Sequence, residues 1–259
     1  MTMCYGGVML QVDRDGSGYG WKALVRGRAR SERGTILLLA SLCVAGACSG
    51  ERPASKPASK PAADSVGSRS PEGEPPRIVF LGTSITAGLG LDPDEAYPNL
   101  VQLKIDSAGL RYQVVNAGQS GETSAGALSR ISWVLRQSPS VLVIETGAND
   151  GLRGQSPMAA RANIQAIIDS TRKKLPSTRI ILAGMQALPN MGAAYVREFI
   201  GIYPALAREN RIPLIPFILE GVAGVPRLNQ ADGVHPTVQG QRIVAENVWR
   251  VLEPVLRAP

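Results

Sequence analysis

From residue 77 onward, short apolar runs alternate with longer stretches in which apolar residues recur every three or four positions. The runs cover 78–81, 113–116, 141–145, 179–183 and 213–217, and their Val, Ile and Leu content predicts strands. Between them, 97–108 carries Leu100, Leu103 and Lys104 at helical spacing, and 124–135 repeats Leu128, Ile131 and Leu135. Ser156-Pro157 reads as a cap and first-turn proline ahead of Ile164, Ile167 and Ile168 on one face. Helices over 195–209 and 239–252 complete the set, the last with Val244, Val248, Val251 and Leu252. This alternation predicts an α/β fold: a central parallel sheet of about five strands with helices on both faces. A stretch of about 180 residues is enough for one such domain, expected over 77–259.

The first 76 residues break the pattern. Arg26, Arg28, Arg30 and Arg33 precede an apolar run of about 13 residues that ends near Ala47, too short to span a bilayer comfortably. Small residues then lead to Cys48, so 25–48 resembles a bacterial lipoprotein signal in which Cys48 is lipidated and becomes the first mature residue. Ala45 stands where such a signal usually has Leu; a plain secretory signal cut near Ala47 is the alternative. Either form predicts export, to a periplasmic membrane surface through lipidated Cys48 or as a secreted protein. Residues 1–24 are glycine-rich with no hydrophobic period and read as a non-native or disordered extension ahead of a start near Val25. The Pro, Ala, Ser and Lys of 49–76 offer almost nothing to bury, so a disordered tether is expected there.

Charge and cysteine placement then narrow the function. Three of the seven net positive charges fall before residue 35 (Arg14, Lys22, Arg26, Arg28, Arg30 and Arg33 against Asp13, Asp15 and Glu32). The remainder has no basic run interleaved with aromatics, so no nucleic-acid partner is expected. Cys4, Cys43 and Cys48 are the only cysteines, which excludes a disulfide framework or thiolate metal site beyond residue 48. One histidine in the whole chain argues against a transition-metal centre, and no metal or cofactor is expected.

The loops after the predicted strands hold the chemistry. Gly82-Thr83-Ser84 follows the first strand. No Lys-Ser/Thr pair follows to make a phosphate loop, and the G-x-G-x-x-G spacing of a dinucleotide site is missing; alone, Ser84 reads equally well as a helix cap. After the second strand comes Gly118-Gln119-Ser120-Gly121-Glu122, after the third Gly147-Ala148-Asn149-Asp150-Gly151, and after the fifth Asp232-Gly233-Val234-His235. In a parallel sheet these loops gather at one edge. A serine hydroxyl needs a base, and His235 is the only imidazole available; Asp232, three residues earlier, is placed to fix its tautomer. The Ser84 N–H, the Gly121 N–H and the Asn149 amide are candidate donors to a tetrahedral oxyanion. Taken singly, each loop is an ordinary turn; the four together point to acyl transfer.

These four blocks, Gly82–Gly88, 116–123, 147–150 and 232–235, resemble the SGNH hydrolases (the GDSL family), most closely the bacterial arylesterase and multifunctional thioesterase–lysophospholipase branch. The resemblance implies a flavodoxin-like three-layer fold and hydrolysis of short- to medium-chain carboxylic esters or thioesters through an acyl-enzyme. It implies Ser84 as nucleophile, His235 as base, Asp232 as its carboxylate, and Ser84, Gly121 and Asn149 as the oxyanion hole. Gly151, Leu152 and Arg153 look like that branch's substrate-binding loop. The implied partner is a small acyl ester or thioester, with membrane contact through the lipid anchor only. A carbohydrate O-acetyl esterase and a catalytically silent binding lipoprotein are the alternatives within the same fold. Thr83 stands where the family has Asp, and a local hydrogen bond from its hydroxyl to the backbone is expected in compensation.

Overall fold

The computed structural model describes residues 73–258, together with three short strands near the amino terminus. Those strands, Thr2–Tyr5 (β1), Val8–Val12 (β2) and Tyr19–Ala23 (β3), pair antiparallel in a sheet of their own. The export signal, Cys48 and the tether up to residue 72 lie outside the described residues.

The main sheet is built from Arg77–Gly82 (β4), Gln113–Gly118 (β5), Val141–Glu145 (β6), Arg179–Ala183 (β7) and Leu214–Ile215 (β8). Every pairing is parallel, in the order β5-β4-β6-β7-β8. Each crossover contains a helix, and together these give the three-layer α/β/α fold expected of such a pattern. The helices are Ser84–Ala87 (α1), Tyr97–Ser107 (α2), Ser124–Val134 (α3), Ala148–Leu152 (α4), Pro157–Lys174 (α5), Ala193–Asn210 (α6) and Val238–Arg257 (α7). β6 is fully buried and β4 is buried from Ile78 on, as strands covered on both faces must be. After β4 the chain pairs β5 on one side, then returns past β4 to pair β6 on the other. Ligands bind at the carboxyl ends of strands at such a reversal.

Element ends move by up to five residues, with β5 running on to Gly118 and α7 to Arg257, and three differences have a clear physical cause. On α2 the buried stripe is Tyr97, Val101 and Ile105, while Leu103 is 61% exposed and Lys104 pairs with Glu246. Tyr97 sets that face because its ring meets Phe80 edge-on at 5.5 Å, and Val101 and Ile105 follow at four-residue steps. The fifth strand shrinks from 213–217 to Leu214–Ile215, because Pro213 and Pro216 have no N–H for a ladder. Residues 148–152, read as loop, form the short helix α4: Gly147, at φ +102°, turns the chain out of β6.

One close approach fixes how the β5 loop sits against α1. A side chain on Gly118 would place its Cβ 2.3 Å from the backbone nitrogen of Ala87. Gly118→Ala is therefore expected to cost about 1–3 kcal/mol and to lower Tm by several °C in calorimetry, whereas an unchanged Tm would show that α1 yields freely.

Candidate active site

Ser84 is the first residue of the single turn α1, which Gly88 closes in the left-handed region. Thr83 precedes it in extended conformation, but its hydroxyl makes no local backbone bond. In place of the local backbone bond expected of it, Thr83 reaches a distant carboxylate. Thr83 donates from its N–H (2.8 Å) and its hydroxyl (3.0 Å) to the carboxylate of Glu145, and the Thr86 hydroxyl donates to the same group at 2.8 Å. Strand register explains this: Leu81 is level with Ile144, so Glu145 arrives beside Gly82. Only glycine leaves room, since a Cβ at 82 would lie 1.9 Å from the Thr86 hydroxyl. Burial pushes the Glu145 carboxyl above its usual range, and the bonds from Thr83 and Thr86 pull it back in part.

His235 comes from the loop between β8 and α7. Asn229 and Pro236 bridge across the base of this loop, and the Gln230 N–H donates to the His235 carbonyl at 2.7 Å. Within the loop, Asp232 Oδ1 accepts from the N–H groups of Val234 (2.8 Å) and His235 (3.0 Å). Its Oδ2 lies 2.7 Å from His235 Nδ1, and His235 Nε2 lies 2.8 Å from Ser84 Oγ. Burial works to raise the Asp232 carboxyl, but the His235 N–H, the imidazole and the Val234 N–H outweigh it and hold the group below the usual carboxylate range. An ionised Asp232 only accepts, so Nδ1 carries the proton and Nε2 is left to accept the serine O–H. Ser84 and His235 are 9% and 8% exposed, so this chain is largely shielded from water.

The oxyanion candidates are tied to the same place. Gly121 has φ +78°, and a Cβ there would meet nothing nearer than Arg153 Nη2 at 3.9 Å. Within the chain, backbone conformation rather than crowding favours glycine at 121. Asn149 Nδ2 donates to the Glu122 carbonyl at 2.9 Å, which fastens the β6 loop to the β5 loop and leaves its second N–H uncommitted. Among the described residues, the Ser84 and Gly121 N–H groups have no hydrogen-bond partner. Of the predicted substrate-binding residues, Gly151 is buried, with its Cβ position 3.2 Å from Phe199. Leu152 and Arg153 are exposed, and Arg153 donates to the Gly121 carbonyl at 2.9 Å.

Three supports escaped the sequence reading. Arg130 forks onto Glu122 with two bonds of 2.7 Å and reaches on to the carbonyls of Ala117 and Gly82. Asp150 accepts from the N–H (2.8 Å) and hydroxyl (2.6 Å) of Ser124 at the start of α3. Glu145 sits beneath Ser84. Its sequence signal was a charged residue ending the otherwise apolar 141–144 run. Among the described residues no group of three or more His, Cys, Asp or Glu is placed to hold a metal ion.

Comparison with known proteins gives consistent matches. A family model described as GDSL-like Lipase/Acylhydrolase matches residues 80–243. Esterase TesA of Pseudomonas aeruginosa is 41% identical over 180 residues, which are 69% of this chain and 89% of that protein. The Escherichia coli protein named Thioesterase 1/protease 1/lysophospholipase L1 is 34% identical, over 69% of this chain and 84% of its own. The crystal structure of AlinE4, described as an SGNH-hydrolase family esterase, aligns with a TM-score of 0.59 at 41% identity, covering 72% of this chain and 99% of that one.

The depressed Asp232 carboxyl carries a signed consequence for stability. Its contribution is complete above the unfolded value near 4 and is lost as pH falls through the lower folded value. Asp232→Asn is expected to lower Tm at pH 7, with the gap to the parent closing as pH drops below about 4. A gap that stays constant or widens in acid would contradict this.

Proposed function

The chain belongs to the GDSL-like lipase/acylhydrolase family and is an esterase of the serine-hydrolase type, and on that premise we propose Ser84 as its nucleophile, with His235 as base and Asp232 as the carboxylate that orients it. The observation that carries this reading is the continuous chain from Asp232 Oδ2 through both imidazole nitrogens to Ser84 Oγ, at 2.7 and 2.8 Å.

The steps follow from the geometry. Nε2 takes the serine proton as Oγ bonds to the acyl carbon, and the imidazolium formed is stabilised by the ionised Asp232. The carbonyl oxygen becomes an oxyanion, for which the Ser84 N–H, the Gly121 N–H and the second Asn149 N–H are the donors. The imidazolium returns its proton to the departing alcohol or thiol. Water then enters, loses a proton to Nε2 and releases the acid from Ser84, restoring the starting state. Removing one oxyanion donor typically costs about 100- to 1,000-fold in kcat. Arg153 holds the Gly121 carbonyl, and with Leu152 it forms the rim where a substrate's leaving group or acyl chain rests.

The substrate class is small carboxylic esters, extended to thioesters by likeness to a relative whose name includes thioesterase. Export is part of the proposal, and its support is the basic and apolar segment that ends at Cys48. The finer reading is a lipid anchor on Cys48 with residues 49–76 as tether.

With p-nitrophenyl esters of increasing chain length, the parent is expected to turn over short chains, and Ser84→Ala to lose at least about a thousandfold in kcat. Equal rates for the two would remove the nucleophile. Labelled palmitate supplied to expressing bacteria is expected on the parent and not on Cys48→Ala; an unlabelled parent removes the anchor.

A further inference from the structure

Glu145 is 1% exposed, and among the described residues no Lys, Arg or His comes within ion-pair distance of it. A buried carboxylate without a cation is an expensive way to stabilise a fold, since an apolar side chain of like volume does as well or better. What distinguishes this one is where its donors come from. The Thr83 N–H, the Thr83 hydroxyl and the Thr86 hydroxyl all belong to the single turn that contains Ser84. Further groups hold the arrangement closed. Burial, and then the Glu145 charge, push the Tyr97 hydroxyl well above its usual range, so it stays protonated. It lies 2.8 Å from the Thr86 hydroxyl, whose own proton is committed to Glu145, so Tyr97 is the donor. From the other side, Gln241 Nε2 donates to the carbonyl of Ile85 at 3.1 Å.

We infer that Glu145 is a positioning residue for Ser84: its carboxylate grips residues 83 and 86 from beneath and aims Oγ at His235 Nε2. It stands behind the turn, does not touch substrate, and acts only through the backbone it holds. The inference rests on Ser84 as nucleophile. A reacting oxygen displaced by about 1 Å loses on the order of 100-fold in rate; Asn116 and Gln241 hold the carbonyls of Thr86 and Ile85, whereas Glu145 alone among these groups takes the N–H of Thr83, the residue next to Ser84.

The two carboxylate oxygens are not equivalent. Oε2 takes the Thr83 N–H and the Thr86 hydroxyl, whereas the Thr83 hydroxyl is shared between Oε1 at 3.0 Å and Oε2 at 3.1 Å and is the one group that meets Oε1. A glutamine with its carbonyl in the Oε2 place keeps both bonds and presents its N–H to the Thr83 hydroxyl, which is able to accept. A leucine fills the space and accepts nothing. Positioning by hydrogen bonds therefore predicts rescue by glutamine, while a requirement for bulk alone predicts that leucine serves.

The test is kcat and KM of the full chain on p-nitrophenyl acetate, with folding followed by near-ultraviolet circular dichroism. Glu145→Leu is expected to lose about 100-fold in kcat with KM within about threefold of the parent, and Glu145→Gln to stay within about tenfold of it. A folded Glu145→Leu whose kcat falls less than tenfold, or a glutamine variant as impaired as leucine, overturns the inference. If Glu145→Leu does not fold, the Thr83→Val/Thr86→Val double variant keeps the carboxylate and removes both of its hydroxyl donors. It is expected to lose at least tenfold in kcat, and parental kcat there overturns the inference as well. Ser84→Ala run in parallel separates the levels: parental activity in it removes the nucleophile itself. An inactive Ser84→Ala beside a fully active Glu145→Leu removes only the role of Glu145.

Discussion

The hydrogen bond between Ser84 Oγ and His235 Nε2 joins residues 151 positions apart, and the rest of the domain is what makes it possible. Neither partner reaches the other through local structure. Ser84 is delivered by the end of β4, His235 by a loop that leaves the last strand on its way into α7. A parallel sheet is suited to this, because all its strands end on the same edge and successive loops meet there. Pairing of Gly82 with Gly118 and of Leu81 with Ile144 brings the three loops after β4, β5 and β6 level with one another.

Loops are mobile by default, so a site made of them needs fastening. Here the fastening is polar and mostly buried. Glu145 holds the Ser84 turn, the Arg130–Glu122 pair holds the β5 loop to the end of β4, and Asp150 holds the β6 loop to the start of α3. Asn149 then links the second loop to the third through the Glu122 carbonyl. Each carboxylate has its donors supplied, as buried charges require. The glycines follow the same logic. Gly82 makes way for Glu145 and Thr86, and Gly118 lets α1 rest directly on the β5 loop.

What was legible in the chain was whatever depends on short range or on scarcity. The strands 141–145 and 179–183 were readable residue for residue because each is centred on an uninterrupted β-branched and Leu stretch, 141–144 and 180–182. His235 stood out because it is the only histidine, and Asp232 because an aspartate three residues earlier on the same loop can reach its other ring nitrogen. The missing parts are long-range. Nothing near Thr83 in sequence says that its hydroxyl goes to a carboxylate 62 residues away, so a local bond was expected. The stripe of α2 was misplaced because Leu100, Leu103 and Lys104 fit helical spacing equally well. Only the packing of Tyr97 on Phe80 decides which face turns inward. The resemblance in four blocks pointed to candidate residues; it did not disclose what holds them.

A single imidazole makes the central claim directly observable. In the untagged protein labelled with 15N-histidine, the account predicts that the neutral ring carries its proton on Nδ1. That proton is shifted far downfield by Asp232, and Nε2 carries the signature of a hydrogen-bond acceptor. A neutral ring protonated on Nε2, or an Nδ1 proton that exchanges rapidly with water, would contradict it.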